Sequence, residues 1–150
     1  MGDTTVMAEP SQLWRGKVWL LRDDARAVGE ARVLIRGALN EVDLQESLVD
    51  DAVLMVSELV TNAILHGQAP YELVVHMDRT EVVCMVIDAS TDLPMPRGAD
   101  ARDEHGRGLL IVAELSIGSC GCIPQRFVTQ PGLVGKATWF ALPRRTTEQC

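Results

Sequence analysis

The stretch Ser57-Glu58-Leu59-Val60-Thr61-Asn62-Ala63-Ile64-Leu65-His66-Gly67 lies within a strongly apolar helical pattern, yet it spaces Glu58, Asn62 and His66 at i, i+4 and i+8. On an α-helix these positions share one stripe that drifts by a fraction of a turn. A carboxylate, an amide and an imidazole on a stripe of a greasy helix need partners, because burying them without any is costly. A phosphate chain with its divalent cation would supply them. The amide oxygen is a candidate magnesium ligand, the carboxylate can orient or deprotonate a nucleophile, and the imidazole can steady either.

Working outward, the same helix begins near Asp43, which stands three residues before Glu46 as in a capping box. Val49, Val53, Val56, Leu59, Val60 and Ala63 supply its core face, and Gly67 with Pro70 marks its stop. Upstream, Lys17 to Leu21 reads as a short strand, and Asp23 or Asp24 can cap a helix over 25–39. That helix sets Val28, Ala31, Ile35, Ala38 and Leu39 on one face.

Downstream the period shortens towards two. Tyr71, Leu73, Val75 and Met77 alternate with Glu72, Val74 and His76, as in a half-buried strand. Asp78-Arg79-Thr80 is a hairpin turn, and Glu81 to Ile87 is an almost continuous apolar run suited to a central strand, closed by Asp88. Thr91 to Glu104, with Pro94, Pro96 and Gly98, reads as a lid loop. Gly106-Arg107-Gly108 precedes a short helix over 109–115, and strands are expected at 116–122 and 137–142. Pro124 and Pro131 break the 123–135 segment between them into a loop or irregular hairpin. The order β, α, α, β, β, lid, α, β, β predicts an α+β fold, a two-layer sandwich whose mixed sheet carries its helices on one face.

The chain has 150 residues, enough for one cored domain, expected over 17–143 between disordered tails at 1–16 and 144–150. Fourteen basic against 21 acidic residues leave a net charge of −7, which argues against direct nucleic-acid binding. No apolar run reaches the roughly 18–20 residues of a membrane span, and the polar start lacks a signal-peptide core. Cys84, Cys120, Cys122 and Cys150 fit neither a disulfide framework nor a familiar zinc spacing, so reduced thiols in the cytoplasm are expected.

Two further features carry chemistry. Asp88, closing a buried strand, can accept a hydrogen bond from an exocyclic amine such as that of adenine. Gly106 and Gly108 at a helix start would bring exposed amides close to an anion. Asp88 alone fits a loop cap equally well, and the glycines alone fit a simple loop-to-helix turn better; the ordered set is the stronger signal.

That set resembles the GHKL superfamily of ATP-binding domains, with its Bergerat α/β sandwich. It is most similar to the small anti-sigma-factor serine/threonine kinases, whose stand-alone copies are common in actinobacteria. Residues 58–67 look like the asparagine box, Gly-Arg-Gly-Leu-Leu-Ile-Val (106–112) like a glycine box, and Ala-Thr-Trp-Phe-Ala-Leu-Pro (137–143) like the terminal strand. The resemblance implies ATP and Mg2+ as ligands, Asn62 as the metal ligand and Glu58 as the base acting on a serine or threonine hydroxyl. It implies Asp88 as the adenine reader, Gly106, Arg107, Gly108 and Leu109 along the phosphates, and His66 and Thr138 as further contacts. Its implied partners are a sigma factor and an anti-sigma antagonist, with a homodimer using the 25–39 helix as one option.

The sequence departs from the pattern in three places. No glycine follows Asp88 in Asp88-Ala89-Ser90-Thr91-Asp92. Ala137 stands where the family has threonine, with Thr138 one step later, and such a step flips a strand side chain to the other face. The lid region offers only Arg97, Arg102 and Arg107 as cations. A non-catalytic interaction module of the same fold is therefore the alternative to a kinase. A sensor-kinase fragment is disfavoured, because no phosphoacceptor helix pair precedes residue 20 and His66 lies inside the nucleotide box.

Overall fold

In the computed structural model, which describes residues 15–42, 44–91 and 104–144, the Asp24 carboxylate accepts the Arg26 amide at 2.8 Å. Helix α1 (Arg26–Asn40) starts there and buries Ala27, Ala31, Ile35, Ala38 and Leu39, a helical spacing. Helix α2 (Glu46–His66) packs against α1 and buries the expected apolar face, Val49 to Ala63. Its start differs from the expected capping box. Gln45 is the N-cap without a side-chain bond, so Glu46 is the first helical residue and cannot reach back as a third-position glutamate would. Asp43 lies outside the described residues.

Strands β1 (Arg15–Leu21), β2 (Tyr71–Met77), β3 (Glu81–Asp88), β4 (Cys120–Arg126) and β5 (Val134–Pro143) form one sheet in the order β1-β2-β3-β5-β4. The β2–β3 hairpin turns on Asp78, whose Oδ1 accepts the amides of Thr80 (2.7 Å) and Glu81 (2.9 Å). The α+β, two-layer expectation holds, with one correction: the sheet is not mixed, since all four ladders among the described residues are antiparallel. The connections explain why. Two helices between β1 and β2 return the chain to the end it left, so β2 runs back along β1. The single-helix crossover through α3 (Glu104–Leu115) does join like-directed strands, β3 and β4, but β5 inserts between them.

One face of the sheet packs on the helices. Leu73, Val75, Val82, Cys84, Val86, Phe140 and Leu142 join the α1 and α2 side chains in the main core. Full burial of each such side chain contributes about 1.5–3 kcal/mol. The alternation in β2 reads as half-buried, yet part of the other face is covered as well. Residues 127–133, between β4 and β5, fold over it, and Phe127 (1% exposed) packs with Val18, Val74, Ile87 and Ala137. Glu72, expected to point to solvent, is fully buried and anchors this cover, accepting the amides of Val128 at 2.8 Å and Thr129 at 2.9 Å and the Thr129 hydroxyl.

Three boundaries also moved. The 116–122 strand begins only at Cys120, because Ser116 to Gly118 close α3. The Gly118 amide donates to Ala113 O at 2.8 Å, and Ile117 takes the left-handed conformation (φ 54°) of a helix C-terminal turn. Strand β4 then runs through Pro124, which its position at the sheet edge permits. Finally, α3 begins at Glu104, so Gly106 and Gly108 lie inside the helix and not before it.

Candidate functional site

The site is built where α2 ends, β3 ends and α3 begins. Gly67 closes α2, and the chain then turns back on β3: the Ala89 amide donates to Gln68 O at 2.8 Å. Gly67 is there for space, since a Cβ would lie 2.6 Å from Asp88 Cγ. Asp88 is 2% exposed, and its Oδ1 accepts the amides of Ser90 (2.8 Å) and Gln68 (3.4 Å). Among the described residues its Oδ2 accepts none. Burial pushes the Asp88 carboxyl above the usual carboxylate range, against the opposing pull of the Ser90 amide, the Lys136 charge and the Gln68 amide. Lys136, on β5 directly across from Asp88, is itself buried.

Of the stripe on α2, Glu58 and Asn62 are half-buried and His66 is exposed. Asn62 Oδ1 is buried with no hydrogen-bond partner, a state that costs about 1–3 kcal/mol unless a ligand relieves it. Glu58 faces α3, whose Gly108 comes so near that a Cβ there would lie 2.8 Å from Glu58 Oε1. Glu58 accepts no hydrogen bond among the described residues. The helix start supplies amides, but from 104–106, the first residues of α3, whose N–H groups precede the first intrahelical hydrogen bond. Gly106 and Arg107 belong to this first turn, whereas the Leu109 side chain packs partly into the main core.

The one-residue step at Ala137 and Thr138 has a structural outcome. Ala137 is fully buried on the outer face with Phe127, and Thr138 stands opposite Val86 on the helix-facing side that also carries Asp88. The lid residues 92–103 lie outside the described residues.

Residues 21–117 match the family model of the histidine kinase-like ATPase domain. The chain belongs to that family. The match runs from the end of β1 through α3 and takes in Glu58, Asn62, His66 and Asp88; β4 and β5 lie beyond it. No curated protein matches the chain. A histidine kinase-like ATPase domain is an ATP-binding fold, and the residues present suit that ligand. The orphaned Asn62 oxygen can take one position on magnesium, which keeps most of its sites for phosphate and water. Among the described residues no cluster of three or more His, Cys, Asp or Glu could hold a metal by protein ligands alone. Also among them, no helix of this ATPase domain is long and apolar enough to cross a membrane.

Four contributors escaped the sequence reading: Gln68 and Ser90, which hold Asp88 through their amides, Lys136, which faces it, and Cys122, which bonds Thr138. The amides carry no side-chain signal. Lys136 and Cys122 become visible only once the β3-β5-β4 register is known.

Proposed function

We propose that this ATPase domain is an ATP-dependent protein serine/threonine kinase of the anti-sigma-factor type. Its substrate would be a serine- or threonine-bearing anti-sigma antagonist and its other partner a sigma factor that it sequesters. The observation that carries the kinase reading is the placement of Glu58: a half-buried carboxylate one helical turn from the orphaned Asn62 oxygen, pressed against the start of α3. A base at that point meets a hydroxyl entering from outside the domain.

Asp88 would receive the exocyclic amine of adenine, and the first-turn amides of α3 would face the phosphates. Asn62 would hold Mg2+, which when bound neutralises charge developing on the phosphoryl oxygens. Glu58 takes the hydroxyl proton as the new oxygen–phosphorus bond forms and the bond to the departing ADP oxygen breaks. Apart from that proton transfer, the residues position and stabilise charge.

The absence of glycine after Asp88 favours a second reading, a protein-binding module that holds ATP as a structural ligand. Transfer of labelled phosphate from ATP to candidate serine-bearing antagonists separates the two. Wild type should label an antagonist, while Glu58→Ala keeps ATP affinity and transfers about 10²–10⁴-fold more slowly. Absence of transfer by wild type, or transfer by Glu58→Ala at the wild-type rate, contradicts the kinase reading.

A further inference from the structure

Adjacent strands place one row of side chains on the helix-facing side of the sheet. Val86 of β3 stands opposite Thr138 of β5, and Thr138 stands opposite Cys122 of β4. The next row towards the end of β3 is Asp88, Lys136 and Pro124. At about 4.8 Å per strand, Cys122 lies about 10 Å across from β3. The Thr138 hydroxyl donates to Cys122 Sγ at 3.8 Å, so the two side chains lean together. The thiol is also near enough to feel the charges of Lys136 and Asp88. The thiols are not equivalent: Cys84 is fully buried, Cys120 packs against the main core, and Cys122 is half-buried beside Thr138. On α2, which packs over β3 and β5, the buried and unpartnered Asn62 oxygen independently points to a ligand in this layer.

We propose that Cys122 and Thr138 form the wall of the base pocket floored by Asp88, so that a bound purine nucleotide shields the Cys122 thiol. This rests on the nucleotide-site reading above and adds the β4 edge to it. The occupant is an amino-purine, because Asp88 offers an acceptor. A soft, polarizable sulfur is a favourable neighbour for an aromatic ring. A side chain larger than cysteine at 122 would narrow the same space.

The test follows thiol labelling in the full chain. Cys120→Ser leaves Cys122 to be read, and Cys122→Ser leaves Cys120 as the control on the same strand. Iodoacetamide alkylation, in which the sulfur–carbon bond forms, iodide leaves and the thiol proton passes to buffer, is followed by peptide mass spectrometry with and without Mg-ATP. Burial pushes the Cys122 thiol up, so the reaction is run in mildly alkaline buffer. Calorimetry on the same samples reports ATP binding. At ATP about ten times Kd roughly one site in ten stays open, so Cys122 labelling should fall about tenfold, with Cys120 changing much less. Binding without slower Cys122 labelling, or equal slowing of both thiols, overturns the Cys122 assignment and leaves the nucleotide site standing. No ATP binding at all overturns both.

Discussion

Asp88 carries a cost to the fold that its proposed role as adenine acceptor would account for. Its carboxyl is 2% exposed, and burial outweighs the Ser90 and Gln68 amides and the Lys136 charge, raising its pKa above the ordinary 3.8. The folded state thus holds the proton more tightly than the unfolded chain does. The stability this contributes is complete below about 3.8 and is lost as pH rises through the raised folded value. Asp88→Asn keeps an Oδ1 acceptor for the two amides and abolishes that loss. Its thermal stability at pH 7 should equal or exceed wild type, with a flatter pH profile from 3.8 upward. The variant replaces the second acceptor by an NH2 donor, which opposes an incoming amine, so ATP affinity should drop by at least about tenfold. Melting curves across pH, paired with calorimetry, check both halves. A destabilised Asn variant that still binds ATP would contradict the role assigned to Asp88.

At the scale of elements, the cover over the outer sheet face depends on Glu72. Its side chain is fully buried and holds Val128 and Thr129 through both oxygens. Glu72→Ala would orphan those donors and loosen Phe127 over Val18, Val74, Ile87 and Ala137, for a loss of about 3 kcal/mol in denaturant unfolding. A change below about 0.5 kcal/mol would mean that water replaces the carboxyl without cost. This segment also marks the limit of what the sequence makes legible. The helix faces, the Asp78 turn and the central strand follow from local period and turn chemistry, which depend on neighbours in sequence. Glu72 alternates like a solvent-facing residue, and its partners lie 56 and 57 positions away, beyond any local pattern. The start of α3 was missed for a related reason. Gly108 looks like loop punctuation, but its small size admits Glu58 of another helix.

At the scale of the molecule, the topology gathers the site. The paired helices return the chain so that α2 ends beside Asp88, and the β3-α3-β4 crossover brings Gly108 against Glu58. Glu58 and Asn62 were legible as a pair because the spacing of four is itself the helical signal. Thr138 was ambiguous until the β3–β5 register placed it opposite Val86, on the face shared with Asp88. Within the gathered arrangement, Asn62 Oδ1 is buried without a hydrogen-bond partner, in an ATPase domain fold. Calorimetric titration of ATP, with magnesium and with chelator, into wild type and Asn62→Ala tests its purpose most directly. Magnesium-dependent binding that weakens at least about tenfold in Asn62→Ala is the predicted result. Equal binding in chelator and in the variant, or none at about 1 mM ATP, would contradict a magnesium-nucleotide site at Asn62.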